Sequence, residues 1–255
     1  MLAAAAGAAL LIGATACQSS PAAKILAAGP SKAAAAAVAD PSRPAADVAR
    51  DPDRKPIDVL TFSGVKPGDK VGELVPGGGY YTRLLSRIVG PQGRVYALIP
   101  EGLAKARPQV LDPIKALGGN VEVVLIPAGG VTAPEKLDLI WTSENYHDLH
   151  NAPPGAPAPS IAGFDASVYD LLKPGGTFLV EDHAAAAGAG PGVTSTLHRI
   201  DPAQVISEVT AAGFVLEAQS GVLANPADPH TAPVFDASIR GHTDKLLFKF
   251  RKPRR

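Results

Sequence analysis

Between Glu73 and Thr82 the chain reads Glu-Leu-Val-Pro-Gly-Gly-Gly-Tyr-Tyr-Thr. Three consecutive glycines, Gly77, Gly78 and Gly79, remove every Cβ from a stretch that a ligand could approach closely. One glycine would serve a strand-to-helix turn, and three together carry a larger entropic cost, so close approach explains the run better than a flexible turn does. The spacing argues against two ligand classes. A dinucleotide fingerprint would place a third small residue where Thr82 stands, and a P-loop would add a Lys-Ser/Thr pair that this loop lacks. Glu73 with Tyr80 and Tyr81 offers a carboxylate and aromatic faces, which suit a cationic ligand without phosphate.

A second polar cluster follows at Glu144-Asn145-Tyr146-His147-Asp148-Leu149-His150-Asn151. His147 or Asp148 could serve as a general base toward a protonated oxygen or nitrogen, with Tyr146 or Asn145 orienting the reacting group. Asp182-His183 would join them from a later strand end. The alternative is that these groups only cap a strand end and bond its loop. The same residues permit a divalent-cation reading, His147-x-x-His150 with Asp148 and either Asp182 or His183. The six histidines form no recognisable ligand motif, so no metal is assigned.

Elements that could position these clusters alternate along the chain. Lys70–Val75, Arg94–Ile99, Val121–Ile126, Leu137–Thr142, Thr177–Glu181, Phe214–Gln219 and Leu246–Phe250 read as strands. Tyr80–Val89, Leu103–Leu117, Phe164–Leu172 and Pro202–Ala212 read as helices, the first stopped by Gly90-Pro91 and the third by Lys173-Pro174-Gly175-Gly176. Such alternation implies βαβ units and a mostly parallel, doubly wound α/β sheet of seven strands. The last two strands have no helical pattern between them, so the last is expected antiparallel. In such a sheet the ligand sits beyond the carboxyl ends of the strands, where both polar clusters fall. The polar stretch from Asn225 to Thr243 reads as a long loop, either a lid or a structured edge.

The Glu73-x-x-Pro76-Gly77-Gly78-Gly79-Tyr80-Tyr81-Thr82 stretch resembles the first motif of class I S-adenosylmethionine (SAM) dependent methyltransferases. Leu171-Leu172-Lys173-Pro174-Gly175-Gly176 is similar to the helix-turn-strand before strand five of that family, and His198 through Arg251 to its terminal helix and hairpin. The whole of Pro44–Pro253 resembles a group of exported bacterial methyltransferases, a match carried by the PGGGYYT and NYHDLHN stretches. The resemblance implies a Rossmann-like fold, SAM as cofactor, and methyl transfer to a small-molecule acceptor. It implies SAM contacts from Glu73, Pro76, Gly77, Gly78, Gly79, Tyr80, Glu101 and Asn145, and catalytic roles for His147, Asp148 and Tyr146. Two positions depart from the pattern. Val75 stands where the family has its first glycine, and Glu101 lies slightly beyond the usual site of the ribose-binding acid. A non-catalytic exported binding module that keeps the fold is the alternative.

Lys+Arg and Asp+Glu each number 24 in 255 residues, so no bulk field draws the chain to nucleic acid or an anionic membrane. The basic tail Lys249 to Arg255 reads as a solvated C-terminus. Leu2–Ala16 has the length of a signal-peptide apolar region and ends at Ala14-Thr15-Ala16-Cys17, which resembles a lipoprotein processing site. Export to the periplasm, with a lipid anchor on Cys17, is expected. Cys17 is the one cysteine, so no intrachain disulfide can form. Residues 18–43, rich in Ala and Pro, read as a tether to the folded domain.

Overall fold

The computed structural model describes residues 29–151 and 160–254. The leader and Cys17 lie outside these residues. Seven strands form one sheet in the order β3-β2-β1-β4-β5-β7-β6: β1 Lys70–Leu74, β2 Arg94–Pro100, β3 Val121–Ile126, β4 Leu137–Ser143, β5 Leu172–His183, β6 Val215–Gln219 and β7 Lys245–Arg251. Strands β1 to β5 pair in parallel. β7 inserts between β5 and β6 and runs antiparallel to both, as the missing crossover helix predicts. The order reverses between β1 and β4, and this switch point is where an open sheet of this kind holds its ligand.

Among the described residues ten α-helical segments accompany the sheet: α1 Lys32–Val38, α2 Ala45–Val48, α3 Asp51–Arg54, α4 Pro56–Ser63, α5 Tyr80–Val89, α6 Glu101–Ala106, α7 Asp112–Lys115, α8 Ile161–Leu171, α9 Val193–Thr196 and α10 Pro202–Ala211. Alternation along the strands feeds two cores. Phe178 and Val180 of β5 join Phe164, Val168 and Leu171 of α8 and Val205 and Val209 of α10 on one face. Leu179, one residue out of phase, joins Val59, Leu60, Leu84 and Leu85 of α4 and α5 on the other. Each such fully buried aliphatic side chain is worth about 1.5–3 kcal/mol. At Gly72 in β1 a Cβ would come within 2.8 Å of Leu137 Cδ1, so only glycine allows this packing.

Two expectations need correction. The tether assigned to residues 18–43 is in part a packed helix. In α1 the Ser31 hydroxyl caps Ala34 N–H, Ala34 and Ala37 are buried, and the helix lies against α4 and α5. Methyl side chains are small enough for close helix approach, so an alanine run can be core without large apolar groups. The single helix expected over Leu103–Leu117 is broken into α6, a 3₁₀ turn at Pro108–Leu111 and α7. Pro108 and Pro113 lack the N–H that a continuous helix requires.

Candidate functional site

The glycine loop leaves the end of β1 and enters α5. Gly79 caps α5 at φ +82°, and a Cβ there would meet Arg83 at 3.0 Å and Ile114 at 3.1 Å. This glycine is therefore required by packing. Gly77 also takes a left-handed conformation, φ +57°, but Gly78 does not, and a Cβ on either would meet nothing within 4 Å beside the cleft they line. That cleft of about 240 Å³ is walled by Glu73, Leu74, Val75, Pro76, Tyr80, Tyr81, Ser143, Glu144 and Asn145 together with Arg50 and Arg54. Glu73 is 3% exposed and its Oε2 lacks a partner. Burial pushes its pKa up to about 8. An unpartnered carboxyl beside two bare glycines fits the ammonium and sulfonium of SAM. Val75 takes the departure from the glycine pattern at φ +48°, a conformation costly for a β-branched residue. Asn145 donates to the Ser143 carbonyl at 2.5 Å and to the Leu74 and Val75 carbonyls at 3.4 Å, tying the two strand ends of the cleft together. Glu101 is the first residue after β2 and exposed. It sits at the carboxyl edge without lining the cleft.

A charged wall separates this cleft from a second one of about 500 Å³, lined in part by His183, Val234, Phe235, Arg240 and Lys245. Arg54 from α3 donates to Glu144 at 2.9 Å, and Lys245 lies 3.3 Å from the same carboxylate. Lys245 reaches this edge because β7 is antiparallel and starts where β5 ends. Burial would raise the pKa of Glu144, but Arg54 and Lys245 outweigh it and hold the group at about 2. Glu181 is pushed up, first by burial and then by the Glu144 charge. The Arg54 guanidinium lies 5.0 Å from the Tyr80 ring centre and 5.5 Å from that of Tyr81. The Tyr80 hydroxyl donates to Asp51 at 2.6 Å, and Asp51 also holds Arg43. The segment before β1 thus covers the glycine loop. Sequence reasoning missed Arg50, Arg54 and Lys245. The Arg50-Asp51-Pro52-Asp53-Arg54 run was the available signal, with Pro52 at a helix start.

His147 and Asp182 come together as expected. His147 Nδ1 lies 2.7 Å from Asp182 Oδ1, and the backbone N–H groups of His147 and His183 each donate to Asp182 at 2.7 Å. Burial would lower the pKa of His147, but the Asp182 carboxylate raises it. His147 Nε2 faces His198 and Asp148 rather than either cleft. His183 is the imidazole that lines the second cleft. Its Nδ1 meets the Thr243 hydroxyl at 2.7 Å, and burial pushes its pKa down to about 4, so it stays neutral at physiological pH.

Tyr146, expected beside the reacting group, is instead fully buried. Its hydroxyl donates to Asp165 at 2.9 Å in the core between α8 and α10. His150 turns the same way, to Glu208 at 3.2 Å. Across the 3₁₀ turn at His147–His150, His147 and Asp148 face His198, whereas Tyr146 and His150 face Asp165 and Glu208. Burial pushes Asp165 up to about 7. Its extra proton in the folded state stabilises the fold below about pH 4, and this contribution is lost as pH rises through 7. Asp165→Asn removes the titration. It is expected to stabilise the protein by about 2 kcal/mol at pH 8 and by little at pH 5, read from urea unfolding at both pH values.

The loop from Asn225 to Thr243 carries no helix or strand and is held by a buried pair. Arg199 donates to Asp228 at 2.8 and 3.1 Å, and to the carbonyls of Ala184 and Ala232. It is an ordered edge that supplies Phe235 and Arg240 to the second cleft. A further cavity of about 950 Å³ lies across α5 near Gly90 and Arg94, at the edge of the sheet away from the strands' carboxyl ends.

No protein-family profile matches the chain. Over 72 residues it is 39% identical to the protein-L-isoaspartate O-methyltransferase of Ignicoccus hospitalis, covering 28% of this chain and 32% of that one. Over 124 residues it is 31% identical to the ubiquinone/menaquinone biosynthesis C-methyltransferase UbiE of Ectopseudomonas mendocina, covering 48% of this chain and 44% of the other. The matches span less than half the length of these curated relatives. Among solved structures, a SAM-dependent methyltransferase from Aquifex aeolicus superposes with a TM-score of 0.53 at 18% identity, over 76% of this chain and 88% of that one. One from Mesorhizobium loti gives 0.50 at 15% identity, over 76% and 95%. At such identities the likeness establishes the fold, which is that of solved SAM-dependent methyltransferases.

Proposed function

We propose that this chain transfers a methyl group from SAM to a small acceptor carrying an anionic group. The observation that carries the reading is the glycine cleft, where two glycines without Cβ contacts sit beside the buried, unpartnered Glu73. SAM would supply the electrophilic methyl. Glu73 would face its cationic portion, Gly77 and Gly78 would admit it against the backbone, and Arg50 or Arg54 would meet its carboxylate. The acceptor would occupy the adjoining cleft, where Arg50, Arg54, Arg240 and Lys245 outnumber the acids Asp53 and Glu144. Phe235 and Val234 give it an apolar wall. Neutral His183 accepts a hydrogen bond from the acceptor's hydroxyl or amine and so aims its lone pair, since positioning does most of the work in an in-line displacement.

The test is formation of S-adenosylhomocysteine with a panel of phenolic, carboxylic and amino acceptors. Turnover is expected with anionic members. Its absence across the panel while SAM binds would favour the binding-module reading, which the left-handed Val75 and the outlying Glu101 support. For the N-terminus we propose export and lipidation of Cys17, supported by the apolar run that ends at Ala16. Incorporation of labelled palmitate in a bacterial host, lost in Cys17→Ser, is the expected result.

A further inference from the structure

We propose that His147, Asp148 and His198 form a binding site for one divalent transition-metal ion of the zinc type. His147 Nε2 lies 3.3 Å from His198 Nδ1 and 3.4 Å from Asp148 Oδ1, and His198 Nδ1 lies 3.7 Å from the same oxygen. Three ligands at zinc-like distances of about 2.0–2.1 Å in tetrahedral array would be separated by about 3.4 Å. Two imidazoles and one carboxylate select zinc, cobalt or ferrous iron over magnesium or calcium, which prefer all-oxygen sets.

A second observation is the support behind His147. Its other ring nitrogen faces Asp182, a fully buried carboxylate already fixed by two backbone N–H groups. A carboxylate behind a ligating imidazole sets the tautomer and raises ligand basicity. It leaves the Nε2 lone pair directed at the other two ligands. His198 is held at φ +54°, a strained conformation for a non-glycine residue. Its neighbour Arg199 is anchored in the core and the Phe235 ring lies 4.8 Å from its imidazole. The Asp148 side chain is 53% exposed, so an ion can enter from solvent and keep a water. The site would pin the segment after α9 to the end of β4, immediately behind the acceptor cleft that Phe235 and His183 line. It does not depend on the methyl-transfer reading. The sequence spacing pointed to His150, which the structure turns toward Glu208; the second imidazole comes instead from fifty-one residues downstream.

The test titrates Co²⁺ and Zn²⁺ into the chelator-treated protein, following heat and the visible absorption of tetrahedral Co²⁺. One equivalent is expected to bind with intense visible bands, and Asp182→Asn to weaken it about 10–100-fold. His198→Asn, chosen because asparagine tolerates the left-handed backbone, is expected to abolish binding, and His150→Ala to leave it unchanged. No saturable binding in the wild type would overturn the proposal. So would binding that survives His198→Asn, or that is lost in His150→Ala instead.

Discussion

Replacing Arg199 with Met is expected to lower the unfolding free energy by about 3–5 kcal/mol, the effect of stranding one member of a buried ion pair. Arg199 is fully buried, and its guanidinium joins Asp228 to the carbonyls of Ala184 and Ala232. Asp228 in turn accepts from the backbone N–H groups of His230 and Asp244. One side chain therefore holds the start of the long loop, its middle and the end of β5 in register. Removing it leaves the carboxylate uncompensated. Adding Asp228→Asn is expected to recover about 1 kcal/mol by removing the buried charge, with the amide oxygen left as acceptor for one of the two N–H groups. Burial would raise the pKa of Asp228, but the two N–H groups and Arg199 outweigh it and hold it below the usual range. The stability from this depressed pKa is present above about pH 4 and lost as pH falls through the folded value. Urea unfolding of the single and double variants reads the whole series. A loss under about 1 kcal/mol for Arg199→Met would mean that the loop is not held this way.

The second large effect concerns Glu73. Its pKa near 8 leaves the carboxyl protonated at neutral pH in the free protein. A cationic ligand favours the ionised form, so binding should expel a proton. The sign follows directly: affinity for SAM rises as pH rises toward 8 and levels above it. The slope approaches tenfold per pH unit well below 8, giving about 50-fold between pH 6 and 8. Glu73→Gln should flatten this profile and lose most affinity at high pH. Calorimetry in buffers of different ionisation enthalpy measures the proton directly. Proton uptake on binding, or an unchanged slope in Glu73→Gln, would show that this carboxyl does not face the ligand's charge.

Much of the framework was legible from one-dimensional pattern. Strand periods and the stop signals placed the seven strands and α5, α8 and α10 near their observed bounds, whereas α1 to α4 and α9 were not foreseen. The unhelical stretch before β7 forecast its antiparallel course. The glycine loop was found, and Asp182-His183 was expected beside the His147 cluster, because strand ends in a parallel sheet converge on one edge. What escaped depends on three-dimensional proximity. Nothing local in Lys245 says that an antiparallel strand starts at the ligand edge. Arg54 lies ninety residues from the Glu144 it bonds. Tyr146 and His147 are neighbours in sequence, yet the 3₁₀ turn sends one into the core and the other toward His198. Alanine, which scores as a weak hydrophobe, hid the packed face of α1.

Calorimetric titration of SAM into the wild type and into Gly78→Leu tests the central claim most directly. Gly78 has an ordinary backbone conformation and its Cβ would meet no neighbour, so the substitution fills the cleft without straining the fold. Saturable binding to the wild type is predicted, weakened by more than about tenfold in the variant, a loss above about 1.4 kcal/mol, with its melting temperature unchanged. No binding at millimolar SAM, or equal affinity in the two proteins, would contradict the assignment of this cleft to SAM.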